Sequence, residues 1–257
     1  MKKTSLKSSV LLAMAGLMFA ASAASAAVTT YTAGNLLMGF RQSGTASSLI
    51  VNLGAASTYK NATSGFVASS IPASELSAVF GANWYTDSTV TWAVIGAVAG
   101  STVNGDTART LYASSQETTY GTANDPYTTA SVASQAGPSN KVASAGGAYT
   151  GIENGTNVTL AQSNATTNSW NSFMAAGQFG YDGVWNLEGT VGSGSQLDLF
   201  RMQPNVTGTY EGSFTMSNAG VVSFSTTPVA AAAVPEPSRA LLLGLGVAGI
   251  FLRRRRR

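Results

Sequence analysis

An apolar run from Ala240 to Leu252, closed by the five arginines Arg253 to Arg257, divides this chain into a part that can fold in water and a part that cannot. Thirteen residues in helical conformation reach about 20 Å, short of the roughly 30 Å hydrocarbon core of a bilayer. A helix this short must thin the membrane or let Arg239 and the terminal arginines snorkel to the interfaces. Five arginines resist translocation, so the C-terminal end is expected to stay cytoplasmic while everything before Ser238 sits outside.

The other end reads as a secretory signal. Lys2, Lys3 and Lys7 precede an apolar stretch from Val10 to Ala21, and Ala24-Ser25-Ala26 supplies the small side chains that signal peptidase requires. With residues 1–27 assigned to the signal peptide, residues 28–227 form one β-rich extracytoplasmic domain, 228–233 a Pro/Ala linker and 234–257 the tail. Signal peptidase and the Sec translocon are implied partners.

The charge of the whole chain, +3, arises at its ends. Between them stand the basic residues Arg41, Lys60, Arg109, Lys141 and Arg201 against a larger number of acidic ones, from Glu75 to Glu211. Scattered cations on an acidic body give nucleic acid no electrostatic footing, and none is expected as a partner. There is no cysteine and no histidine. Disulfides are therefore excluded, as are Ser-His-Asp and Cys-His catalysis and the usual zinc sites. No side chain has an ordinary pKa between pH 5 and 8, so stability should vary little in that window unless a carboxylate is strongly shifted.

Val234-Pro235-Glu236-Pro237-Ser238 lies just before the apolar run. Each proline fixes its own backbone and biases the preceding residue toward extended structure, leaving a segment an enzyme can grip. Motif, short Leu/Gly-rich helix and Arg cluster together resemble the PEP-CTERM sorting domain; the charged Arg239 is a departure that blurs the helix start. The resemblance covers residues 234–257. It implies recognition by an exosortase, a multipass membrane enzyme that cleaves near the motif and transfers the body to a surface acceptor in bacteria that make exopolysaccharide. On this reading the chain is a substrate, held transiently in the inner membrane and then passed to the cell surface or extracellular matrix.

Within the body, Leu36 to Phe40 and Leu49 to Leu53 flank the turn-rich Gln42-Ser43-Gly44-Thr45 and read as a hairpin. A short helix is expected over residues 72–80, with Gly81 as its stop. Thr89 to Val98 reads as a strand, with Arg109 to Ala113 as its partner. Residues 114–168 thin into Thr, Ser, Gly, Ala and Asn, and are expected to be irregular. Trp170 to Ala176 suggests one or two helical turns. Gln196 to Arg201, Gly208 to Met216 and Val221 to Thr226 read as strands, the last two joined by a turn at 217–220. The expected fold is mainly β: an antiparallel β-sandwich or jelly-roll-like body with one or two short helices, plus the signal helix and the short transmembrane helix.

Asp182, Glu188 and Asp198 could serve a glycosidase if two of them converged at the separation that chemistry needs. Asp87, Asn104, Asp106, Asn124 and Asp125 fall in loop-like sequence but form no calcium-loop series, and Asn104-Gly105-Asp106 is more simply a turn. Trp84, Tyr85, Trp92, Trp170, Tyr181 and Trp185 are the aromatics that could stack on sugar rings, with Trp84, Trp92, Trp170 and Trp185 the leading candidates; most are expected in the core. Asn61, Asn154, Asn157, Asn164 and Asn205 open Asn-x-Ser/Thr triplets. The sequence thus predicts a non-enzymatic exported surface or matrix protein associated with exopolysaccharide, without cofactor or metal. A carbohydrate-binding module or adhesin is the alternative, and a glycan-cleaving enzyme stands third.

Overall fold

A computed structural model describes residues 29–154, 159–175, 187–192 and 194–229. In chain order these form β1 (Asn35–Gln42), β2 (Ser47–Ala55), α1 (Ala56–Lys60), β3 (Phe66–Ser70), α2 (Ala73–Phe80), β4 (Val90–Ala97), β5 (Leu111–Gln116), α3 (Val132–Thr150), β6 (Thr159–Ser163), α4 (Trp170–Ala175), β7 (Gly189–Thr190), β8 (Gln196–Met202), β9 (Thr209–Met216) and β10 (Val221–Ser225). The mainly β, antiparallel class read from the sequence is what forms. Its arrangement is one ten-stranded sheet, ordered β3-β10-β9-β8-β5-β4-β1-β2-β6 with β7 beside β4, curled into a half-barrel. In place of two stacked sheets, the N-terminal and C-terminal strand groups merge edge to edge through the β4–β5 and β5–β8 pairings.

Both faces of the central strands are buried, which explains their near-continuous apolar runs. In β1 the residues Asn35 to Phe40 are all buried, and in β4 so are Trp92 to Ala97. Alternate residues then supply two separate cores. The inner core gathers Leu36, Met38, Trp92, Tyr112, Leu199 and Phe214 with Tyr59 of α1 and Leu76 of α2. Here α1 rests against β9 and α2 against β2, so the two short helices fill the trough between the arms of the curl. Tyr59 anchors it, its ring 5.5 Å from that of Phe214 and 5.1 Å from that of Phe224.

The outer core gathers Leu37, Ile50, Ile95, Ala113, Phe200 and Met202 under α3 and α4, with Tyr149 and Trp170 as its largest contributions from those helices. Trp170 sits on Gly39: a methyl group there would lie 2.0 Å from the indole, so a bare backbone is required at that point of β1.

The expectation that residues 114–168 are irregular is corrected by α3, nineteen residues long, and by the strand β6. Ser131 caps α3 by accepting a hydrogen bond from the Ser134 amide at 3.1 Å. The helix buries Gln135, Pro138, Ser139, Val142, Ala145, Gly146 and Tyr149, a helical spacing written largely in small and polar residues. Close approach compensates for their size: the Tyr31 ring occupies the space a side chain at Gly146 would need.

Candidate functional site

The sorting residues Val234, Pro235, Glu236, Pro237 and Ser238, and the arginines Arg253, Arg254, Arg255, Arg256 and Arg257, lie outside the described residues, as do Tyr181, Asp182 and Trp185. Among the described residues no helix is long and apolar enough to cross a membrane. What the structure places is the root of the tail. After β10, Ser225 turns the chain by donating its hydroxyl to the Thr227 carbonyl at 2.7 Å, and Gln196 Nε2 of β8 donates to the Val229 carbonyl at 2.5 Å. Four residues separate Val229 from Val234, five steps of chain that can reach at most about 18 Å.

Three of the four tryptophans proposed for glycan contact are core residues. Trp92 and Trp170 have no exposed surface and Trp84 has 3%. Trp92 stacks on Phe40 with ring centroids 6.1 Å apart, and Trp84 meets Tyr85 edge-on at 5.3 Å. Among the described residues the indole N–H groups of Trp92 and Trp170 have no acceptor, and both rings serve the packing. The physical reason is position: Trp92 and Trp170 fall on strands and a helix that are covered on both sides, where aromatic area is worth most.

Of the candidate carboxylates, Glu188 is taken up by Arg41, which donates Nε to Oε1 at 2.7 Å and Nη2 to Oε2, while Thr91 donates its hydroxyl at 2.8 Å. Asp198 is different. It lies on the outer face of β8, fully buried, accepting from the Ser213 hydroxyl at 2.7 Å and the Asn124 amide at 2.8 Å. Burial pushes its carboxyl above the ordinary range, against the pull of those two donors. On the neighbouring strand end Glu117, whose amide donates to the Gln196 carbonyl at 3.0 Å, is buried with both oxygens lacking a well-formed hydrogen bond. Its carboxyl is also raised, first by burial and then by the charge of Asp198, against the pull of the Thr122 and Gly121 amides in the adjoining turn. Tyr210, donating to or accepting from Ser213 at 2.8 Å, is pushed up to about 12 by burial. The segment after β5 roofs this pair, with Asn124 bonded to Ser115 and Gln116 and the Tyr127 hydroxyl donating to the Ser114 carbonyl.

A second polar cluster lies on the inner face. Asp106, 2% exposed, accepts Lys60 Nζ at 2.8 Å and Arg201 Nη1 at 3.4 Å on Oδ1, and the Tyr112 hydroxyl at 2.7 Å on Oδ2. Arg201 Nε also donates to Glu211 at 2.7 Å, and Lys60 Nζ to the Asn104 carbonyl at 2.8 Å. Asn104 and Gly105 adopt positive φ, 50° and 82°, and make the tight turn that presents Asp106. The turn expected at Asn104-Gly105-Asp106 thus forms, and it serves an ion network. Burial pushes Glu211 upward while Arg201 pulls it back; Tyr112 is raised by burial and by its bond to Asp106.

The remaining polar candidates separate by environment. Asp87 holds Thr89 and Gln42 in an exposed turn. Among the sequon asparagines, Asn164 is fully engaged, accepting from the Ser48 hydroxyl at 2.6 Å and donating to the Thr45 carbonyl at 2.7 Å. Asn61 and Asn205 are exposed, and Asn157 lies outside the described residues. Sequence reasoning passed over Lys60, Tyr112, Glu117 and Glu211, because no spacing in the chain announces that strands so far apart in sequence will bring them together.

Residues 233–257 match the family model described as the PEP-CTERM protein-sorting motif. No curated protein and no solved structure matches the chain. The motif implies an exported protein that passes transiently through the membrane and is recognised and sorted to the cell surface by an exosortase.

Proposed function

We propose that this chain is a non-enzymatic component of an exopolysaccharide-rich surface layer or matrix, delivered there when an exosortase cleaves near Val234 to Ser238 and passes the body to a surface acceptor. The observation that carries the reading is the order of residues in the tail: Pro-Glu-Pro, then an apolar run of thirteen residues, then a block of five arginines, the order expected of a grip site, a short anchor and a stop to export. The body supports it. Three tryptophans are spent on the two cores, and Glu188, Asp106 and Glu211 are engaged by cations.

The tail works in stages. The arginines stop translocation, the short helix holds the chain at the membrane, and the prolines keep the motif from joining that helix. The bond from Gln196 to Val229 keeps the body within a short linker of the site of cleavage.

Mass spectrometry of the cell-surface form tests this directly. Loss of the tail is expected, and a surface form still carrying Arg253 to Arg257 would refute it. Replacing Pro235 and Pro237 by Ala should let the helix extend into the motif and trap a longer, unprocessed species in the inner membrane. Normal processing of that variant would show that apolarity alone is read. Co-sedimentation of the mature protein with the host's exopolysaccharide tests the matrix assignment, and a mature form free of the polysaccharide fraction would count against it.

A further inference from the structure

We propose that Lys60 and Asp106 join in an intramolecular amide, a covalent staple formed by the body itself. Lys60 Nζ lies 2.8 Å from Asp106 Oδ1, so Cγ is within about 4.0 Å of the nitrogen. That is close to the roughly 3–3.5 Å separation of a near-attack geometry, and it is held by surroundings that are already folded. The Lys60 side chain is 8% exposed and Asp106 2%. The Asn104 carbonyl accepts from Nζ at 2.8 Å and fixes the amine on its turn, while Tyr112 donates to Oδ2 at 2.7 Å.

The step balances without any co-reactant. Nζ attacks Cγ, the N–C bond forms and one Cγ–O bond breaks. The departing oxygen leaves as water carrying two of the three ammonium protons, and the third stays on the amide nitrogen. Ammonium and carboxylate charges vanish together. Tyr112 and Arg201 face the oxygens on which negative charge builds as the carbon becomes tetrahedral. Glu211 accepts from Arg201 at 2.7 Å and holds that guanidinium toward Asp106, while the first proton from Nζ passes to Asp106 Oδ1, which it already meets at 2.8 Å, and frees the lone pair.

The driving force is the burial. Two cations and two anions share a site nearly closed to water, where each ion has lost hydration that its partner only partly restores. Amide formation removes one such pair and leaves Arg201 with Glu211, still neutral as a set. It also closes a sequence separation of 46 residues, fastening α1 to the turn before β5. A chain with no cysteine thereby gains the kind of cross-link that exported bodies otherwise draw from disulfides. This goes beyond the sorting reading and does not depend on it.

The test is a tryptic map of the purified full-length chain digested after denaturation. An amide at Lys60 blocks cleavage there, so one peptide spanning residues 42–109 is expected, lighter than its sequence by the mass of one water, with fragmentation placing the link at Lys60 and Asp106. Lys60→Arg keeps the charge but is not a nucleophile, and should yield residues 42–60 and 61–109 at their sequence masses. The same two unmodified peptides from the parent chain would overturn the proposal, whatever the variant does. So would a one-water loss confined to residues 61–109, which marks a succinimide at Asp106.

Discussion

On the inner face of the sheet Asp106 and Glu211 lie beside Lys60 and Arg201, whereas on the outer face Asp198 and Glu117 lie among hydroxyls and amides, with no ion pair to either among the described residues. Both sets are buried between packed layers. Burial raises the carboxyls of Glu211, Asp198 and Glu117 alike, but at Glu211 the Arg201 cation opposes the rise, whereas at Asp198 and Glu117 only hydrogen-bond dipoles do. The sign of the pH dependence follows. Where a carboxyl's folded pKa is raised, the folded state binds more protons, so its stabilising effect is complete below the ordinary carboxylate range near pH 4 and is lost as pH rises through the raised value.

The hardest way to break this contrast is Arg201→Met. It strips Glu211 of its cation and should cost about 3 kcal/mol at pH 7, less at pH 4.5 as Glu211 takes up a proton. Chemical denaturation at the two pH values checks it, and an equal loss at both would mean that packing by the Arg201 stem, not charge, is what mattered. Next in size is Gly39→Ala, which drives a methyl group into Trp170 and should cost about 2 kcal/mol at every pH, since no titrating group is involved. The comparison is then with a purely steric defect in the same outer layer. The smallest effect sharpens it most: Glu117→Gln should raise the melting temperature by about 2 °C at pH 7 and leave it unchanged near pH 4. A lower melting temperature at pH 7 would show that the Gly121 and Thr122 amides stabilise the charged form after all.

The sequence announced what is local. The β1–β2 hairpin, the helix ending at Gly81, the β9–β10 hairpin and the Asn104 turn all carry their signals within a few residues. It did not announce the single sheet, because pairings such as Tyr112 with Arg201 join residues about ninety positions apart, and alternation says which face a residue takes but not which strand it meets. Nor did it announce α3. Gln135, Ser139, Ala145 and Gly146 stand where leucines would have made the periodicity visible, and the helix is recognised only once Tyr31 is seen to need the room. The tail was the reverse case. Its signal sits in a contiguous stretch, so the sorting motif could be read directly, whereas Glu117 and Asp198 became a pair only through the β5–β8 register.

The strand order also sets how the molecule bears load. While the tail is anchored, any drag on the body enters through Val229 and β10, and β10 is second from an edge, with the five-residue β3 outside it. The N-terminal strand β1, by contrast, is flanked on both sides by long partners, β2 and β4. A pull on the tether therefore peels β10 and β3 away from β9 before it reaches the central strands, and Gln196, clasping Val229 from β8, is the first side chain to yield. The body is built with a mechanical fuse at the end where it is tied, and its doubly flanked central strands lie behind it.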